Sequence, residues 1–155
     1  MVEELNVRII QLAPMRVASA YGFGASPEEQ AWRTLLDWAE AGGLLDADPA
    51  PRFFGFNNPN PAAGSPNYGY EQWMTVGPEV AGGAGVAIKE FPGGLYAVAR
   101  CEGLQTITDT WHRLATWCEG SPYVMGQHQW LEECFTPNAE RLEDYIFDLY
   151  LPIAE

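Results

Sequence analysis

An α+β fold made by duplicating a β-α-β-β unit is the reading that three features of the sequence support together. The segments AWRTLLDWAE (31–40) and TWHRLATWCE (110–119) share the pattern W-x-x-L-x-x-W-x-E at a single offset of 79 residues. Each is preceded by a strand–proline–strand pattern, with Pro14 and Pro92 lying 78 residues apart. Each is followed by a strand that ends in an Asx/Pro turn, where Pro59 and Pro137 are again 78 apart. Each unit is then a small antiparallel sheet with one helix on one face.

The elements follow in order. VRIIQLAPMRVASAYGFG (7–24) and VAIKEFPGGLYAVARCEG (86–103) alternate as strands around a proline-centred kink. The two tryptophan-bearing segments place apolar residues at i, i+3, i+4 and i+7: Trp32, Leu35, Leu36 and Ala39, then Trp111, Leu114, Ala115 and Cys118. That spacing is the stripe of a helix lying on a core. Ser26-Pro27-Glu28-Glu29 supplies a helix start, with an N-cap, proline at N1 and a capping-box acid at N3. RFFGFNNPN (52–60) and QWLEECFTPN (129–138) are the strands after the helices. YGYEQWMTVGP (68–78) and DYIFDLYLP (144–152) close each half on a strand that reaches a proline. The glycine-rich GPEVAGGAGV (77–86) connects the halves, and NNPNPAAGSPNYG (57–69) has the Pro, Asn and Gly of an irregular loop. The expectation is one domain over residues 1–155, with repeat halves of about 1–79 and 84–155. A sheet with one helix has one uncovered face, and two such units side by side would leave a groove of the kind ligands favour.

Composition narrows the function. With 47% hydrophobic and 19% charged residues among 155, the chain is globular and large enough for a core of its own. No apolar run approaches the roughly 20 residues of a membrane span, so no membrane partner is expected. The start, MVEELNVRII, lacks a basic region followed by an apolar stretch, so no signal peptide is read. Three cysteines, Cys101, Cys118 and Cys134, suit reduced thiols in a cytoplasm. With 21 acidic against 8 basic residues the net charge is −13, which disfavours direct binding of nucleic acid. Six Trp and seven Tyr are a rich supply of residues that wall small-molecule pockets.

The order of FPGGLYAVARCEG, TWHRLATWCEGSPY, WLEECFTPN, YGYEQWMTV and DLYLPIAE resembles the GyrI-like small-molecule-binding domain over nearly the whole chain. That domain is the effector-binding part of some bacterial multidrug-responsive transcription regulators and also occurs free-standing. The resemblance implies a pseudo-two-fold fold with a ligand cleft between the halves. It also implies a glutamate, on the strand after the second helix, that receives hydrophobic cations among aromatic rings. Laid on LEEC, the family's run of apolar residue, Glu, any residue and Tyr places the acid at Glu132. Cys134 then stands where the tyrosine is common, which leaves the pocket one phenol short. The register EECF, with Glu133 as the acid and Phe135 as the aromatic, stays open.

Alternation groups Glu132 with Trp130 and Cys134, and sets Leu131, Glu133 and Phe135 on the other face. The ligand-binding set is expected to be Glu132 with Trp73, Trp111, Trp130, Tyr68, Tyr70, Tyr145 and Phe147. Glu71, in alternation with Trp73, is a second carboxylate candidate whose simpler reading is a surface residue. Two histidines, His112 and His128, without a third ligand in metal spacing do not make a zinc site, and no glycine-rich loop leads from strand to helix for a phosphate. His112 and Cys118 are six apart and do not face each other on one helix. No cofactor is expected. The first functional reading is binding, sequestration or sensing of hydrophobic, often cationic small molecules. The second is a hydrolase, as the resemblance implies for some free-standing relatives: Glu132 as general base, with Trp73 holding a flat substrate, would open strained cyclopropane rings of DNA-alkylating compounds. A third, a domain that only docks onto an unspecified protein partner, requires an exposed apolar patch.

Overall fold

The structure is a computed structural model that describes residues 5–47, 50–58 and 63–155. The expected turn at Pro59 lies outside the described residues. In chain order the elements are β1 (Val7–Leu12), β2 (Met15–Gly24), α1 (Pro27–Ala41), β3 (Phe53–Asn57), β4 (Tyr68–Thr75), β5 (Ala87–Phe91), β6 (Gly94–Glu102), α2 (Ile107–Glu119), β7 (Val124–Met125), β8 (Leu131–Cys134) and β9 (Ile146–Ala154). The fold is α+β, with one helix in each copy of the duplicated pattern.

The chain divides into two compact units, Met15–Phe91 and Met1–Pro14 with Pro92–Glu155. In the first, the strands run antiparallel in the order β3-β4-β2-β5. In the second, the order is β8-β9-β6-β1, again antiparallel, and the short β7 pairs with the end of β9. The two orders match copy for copy, but the compact units are cut differently from the sequence repeats. The opening strand of the first repeat, β1, belongs to the second unit, and the opening strand of the second repeat, β5, belongs to the first. Pro14 and Pro92 sit where the chain changes unit, which is why each copy carries a proline-centred kink there.

Helix α1 starts with proline at N1 and acids in its first turn, as its sequence requires, but the Ser26 side chain makes no capping bond. Glu28 instead accepts a hydrogen bond from the Tyr68 hydroxyl at 2.5 Å. The fully buried line of α1 is Ala31, Leu35 and Ala39, and that of α2 is Thr110, Leu114 and Cys118. Small residues on these lines let the helices lie close against Ala18 and Ala20, or Ala97 and Ala99, which are themselves fully buried. The tryptophans expected on the stripe flank it. Trp32 meets Phe53 with ring centroids 5.4 Å apart, and Trp111 meets Trp130 at 5.3 Å.

These contacts tell the two faces of each sheet apart, because residues opposite each other in an antiparallel pair share a face. In the first unit the α1 face carries Phe53, Gly55, Tyr70, Gln72 and Met74, and a Cβ on Gly22 would lie 2.2 Å from the Pro27 carbonyl oxygen. The face turned away from α1 carries Ser19, Phe54, Phe56, Glu71 and Trp73. In the second unit the α2 face carries Ala97, Ala99, Glu132, Cys134, Phe147 and Leu149, and the other face carries Tyr96, Val98, Arg100, Leu131, Glu133, Asp148 and Tyr150. Strands β4 and β9 are buried on both faces. Strand β9 does not stop at its proline: it runs through Pro152, opposite Tyr96, to Ala154, and the Pro152 carbonyl accepts the Gly126 N–H at 2.9 Å.

Candidate functional site

Each unit concentrates its buried polar chemistry on the face turned away from its helix. In the second unit, Glu133 on β8 lies directly opposite Asp148 on β9, and both are buried. Two neighbouring carboxylates in a low-dielectric setting repel unless cations and donors intervene. Asp148 receives the Arg100 guanidinium at 2.7 Å and that of Arg8 at 2.8 Å. The bond to Asp148 raises the Arg100 pKa against the opposing effect of its partial burial. The Arg100 guanidinium also lies over the Phe135 ring, 4.8 Å from its centroid. Glu133 accepts a 2.7 Å hydrogen bond from the Tyr150 hydroxyl.

Tyr150 belongs to an aromatic cluster. Its ring meets that of Tyr96 edge-on at 5.4 Å, and Tyr96 meets the His128 imidazole edge-on at 4.9 Å. Tyr96 is fully buried, donates to the Gln129 carbonyl at 2.5 Å, and burial pushes its phenol pKa up. His128 is wedged where Cβ atoms on Gly94 and Gly126 would each come within 2.6 Å of its ring. One of its ring nitrogens lies 2.7 Å from the Leu95 carbonyl oxygen, so it is a structural residue that fixes the Tyr96 end of the cluster.

In the first unit, Glu71 on β4 is buried, opposite Phe56 on β3 and on the same face as Trp73. The Trp73 indole donates to Oε2 at 2.6 Å, and Trp73 packs edge-on against Phe56 at 5.0 Å and tilted against Phe91 at 5.2 Å. The same oxygen receives the Lys89 ammonium of β5 at 2.8 Å, and Oε1 receives the Asn58 amide at 3.4 Å. Burial would raise the carboxyl pKa. The Lys89 and Trp73 hydrogen bonds, the Lys89 charge and a Ser19 hydrogen bond outweigh it, so Glu71 is held below the usual carboxylate range. The surface reading of Glu71 is corrected: its side chain is 5% exposed.

The residues singled out in the sequence fall on different faces of their own units. Glu132 is half-buried and paired with Leu149 on the α2 face, on the same side as Trp130, Trp111 and Phe147. Tyr145 stacks on Phe147 with centroids 5.8 Å apart. Tyr68 and Tyr70 are committed to the α1 face: Tyr68 bonds Glu28, and the Tyr70 ring covers Gly55. Trp73 alone of the eight lies on a face turned away from its helix. Tyr96, Arg100, Asp148, Tyr150 and Lys89 were missed; the available signal was alternation, which gives β9 the face Asp148–Tyr150 and β6 the face Tyr96–Arg100. Burial pushes the Cys134 thiol pKa up, which does not suit a thiolate nucleophile. Among the described residues no three His, Cys, Asp or Glu side chains come together as a metal ion would require.

The GyrI-like small-molecule-binding domain matches residues 5–154 of the sequence. The chain belongs to that family. No curated protein matches the chain significantly. Among solved structures, a hydrolase from Listeria innocua is similar to this GyrI-like chain with a TM-score of 0.73 at 13% identity, over 99% of this chain and 94% of that one. The EcmrR C-terminal domain also has a TM-score of 0.73, at 11% identity over 97% and 98%. SAV2435 bound to tetraphenylphosphonium has a TM-score of 0.58 at 12% identity, over 97% and 94%. These likenesses are of fold. For the present GyrI-like domain no helix among the described residues is long and apolar enough to cross a membrane.

Proposed function

We propose that the domain binds hydrophobic, cationic small molecules through Glu133, and that Tyr150 and Tyr96 form the aromatic part of the site. The observation that carries this reading is the position of Glu133: buried, on the face turned away from α2, and held by a phenol of a two-tyrosine cluster. A buried carboxylate is costly to maintain, and a ligand cation regains that cost where water is excluded. Each ring facing a desolvated cation adds about 0.5–2 kcal/mol. With Glu133 as the acid the aromatic position is Phe135, and Tyr150 supplies the phenol that Phe135 does not carry. That SAV2435 was solved with tetraphenylphosphonium supports the class of ligand. Calorimetric titration of tetraphenylphosphonium tests it. Glu133→Gln is expected to weaken binding at least about tenfold, and Glu132→Gln to leave it within twofold of wild type. The reverse order would restore Glu132 as the acid, and equal affinity in all three would reject an acid-centred site.

The 2.7 Å Glu133–Tyr150 bond also favours a second reading, a hydrolase. A buried carboxylate fixed by a phenol can orient a water toward an electrophilic carbon and take its proton. The hydrolase from Listeria innocua has the same fold, which supports this reading. The discriminating experiment offers a strained cyclopropane electrophile and follows ring-opened product: turnover that vanishes in Glu133→Gln while binding persists selects catalysis.

A further inference from the structure

Lys89 is the one lysine in the sequence, and its ammonium sits on the buried, ring-flanked Glu71. Seven of the eight basic residues are arginines, so the single lysine of this chain is placed on the carboxylate that also accepts the Trp73 indole N–H, and Trp73 in turn packs against Phe56 and Phe91. Its side chain is 47% exposed whereas that of Glu71 is 5% exposed, so the lysine stem itself connects the carboxylate to solvent. We propose that Lys89 is a tethered cation that a soft organic cation displaces, making Glu71 with Trp73, Phe56 and Phe91 a second, ion-exchange site in the first unit. The site goes beyond the Glu133 reading and stands on different residues.

The selectivity of such an exchange follows from hydration. An ammonium is a compact, strongly hydrated charge, so Lys89 released into water recovers its hydration. A delocalised lipophilic cation is weakly hydrated and gains from the ring faces once water is excluded. Exchange therefore favours flat or lipophilic monocations. Small, strongly hydrated ions gain no more from Glu71 than the lysine already does. The Trp73 indole and the Asn58 amide still donate to the carboxylate, and the incoming cation takes over the charge that Lys89 gave it.

The single lysine permits a direct test on the unmodified chain. Reductive methylation, read by peptide mass, labels Lys89 separately from the N-terminal amine. Saturating tetraphenylphosphonium is expected to raise the Lys89 labelling rate in wild type and in Glu133→Gln, and to leave it unchanged in Glu71→Gln. Potassium at equal concentration is expected to have no effect. Lys89→Met is expected to bind the probe about tenfold more tightly than wild type, and the gain to disappear in Glu71→Gln/Lys89→Met, which keeps the pair neutral and so protects the fold. A labelling rate that is unchanged or falls with probe overturns the proposal. So does a Lys89→Met variant with no gain, or a gain that survives in the double variant. Loss of probe binding in Glu133→Gln alone bears on the Glu133 site and leaves these outcomes separate.

Discussion

A single carboxylate gives this protein a pH signature. Glu71 is held below its ordinary value of 4.5, so its ionisation contributes stability that is full above that value. The contribution is lost as pH falls through the lower folded-state value. Urea unfolding from about pH 5 to about pH 3 is therefore expected to show falling stability with a slope that is shallower in Glu71→Gln. A second residue-scale expectation concerns Gly55. A Cβ there would lie 2.1 Å from the Tyr70 hydroxyl oxygen and 2.6 Å from Cζ, and the Tyr70 ring is buried. Gly55→Ala must move that ring, at a cost of about 1–3 kcal/mol in urea melts, and Tyr70→Ala in the same background should relieve the clash while leaving a cavity. The residue scale is also where the sequence was least explicit. Alternation separated Glu132 from Glu133, but nothing in LEEC says which of two opposite faces a helix will cover. The Trp111–Trp130 contact settles it, and it is a pairing across about 20 residues that periodicity does not encode.

Secondary-structure elements were more legible, because the duplicated helix motif imposes its own check. Leu35 and Leu114 occupy equivalent positions on α1 and α2 and are both fully buried. Leu35→Ala and Leu114→Ala are each expected to cost about 2–5 kcal/mol, read as parallel drops in urea midpoint. The i, i+3, i+4, i+7 stripe gave the helices and, with Leu35, Ala39, Leu114 and Cys118, most of their buried line, but at its first position Ala31 and Thr110, not the tryptophans, meet the sheet. Bulky indoles cannot enter so close an interface and lap over its rim. The strands β4 and β9 hid their orientation for the opposite reason: buried on both faces, they show no alternation of exposure to read. The N-terminal signal of α1 placed its start, although the bond that holds the first turn runs from Tyr68 to Glu28. Tyr68→Phe is expected to lower stability by about 1 kcal/mol, whereas Ser26→Ala should change it little, because Ser26 makes no capping bond.

The whole chain carries a net charge of −13, so its field draws in cations from a distance. Association of a lipophilic cation is expected to slow as salt rises through the range where the screening length falls to about 10 Å, while dissociation changes little. Stopped-flow traces at several salt concentrations check this. What the sequence could not reveal at this scale is the exchange of β1 and β5, since a repeat detected by offset looks the same whether its strands stay home or trade places. The exchange makes a direct prediction. Fragments 1–83 and 84–155 should each be poorly folded alone, for one lacks β5 and the other lacks β1. Mixing them should restore β-sheet circular dichroism and amide protection along β6.

The traded strands also dictate how this sequence can drift. Arg8 answers to Asp148, and Lys89 to Glu71, so each copy's opening strand keeps its electrostatic counterpart in the other copy's territory. Neither duplicate can be lost, replaced or recombined as an independent cassette without orphaning an ion pair, and inheritance must carry the two together.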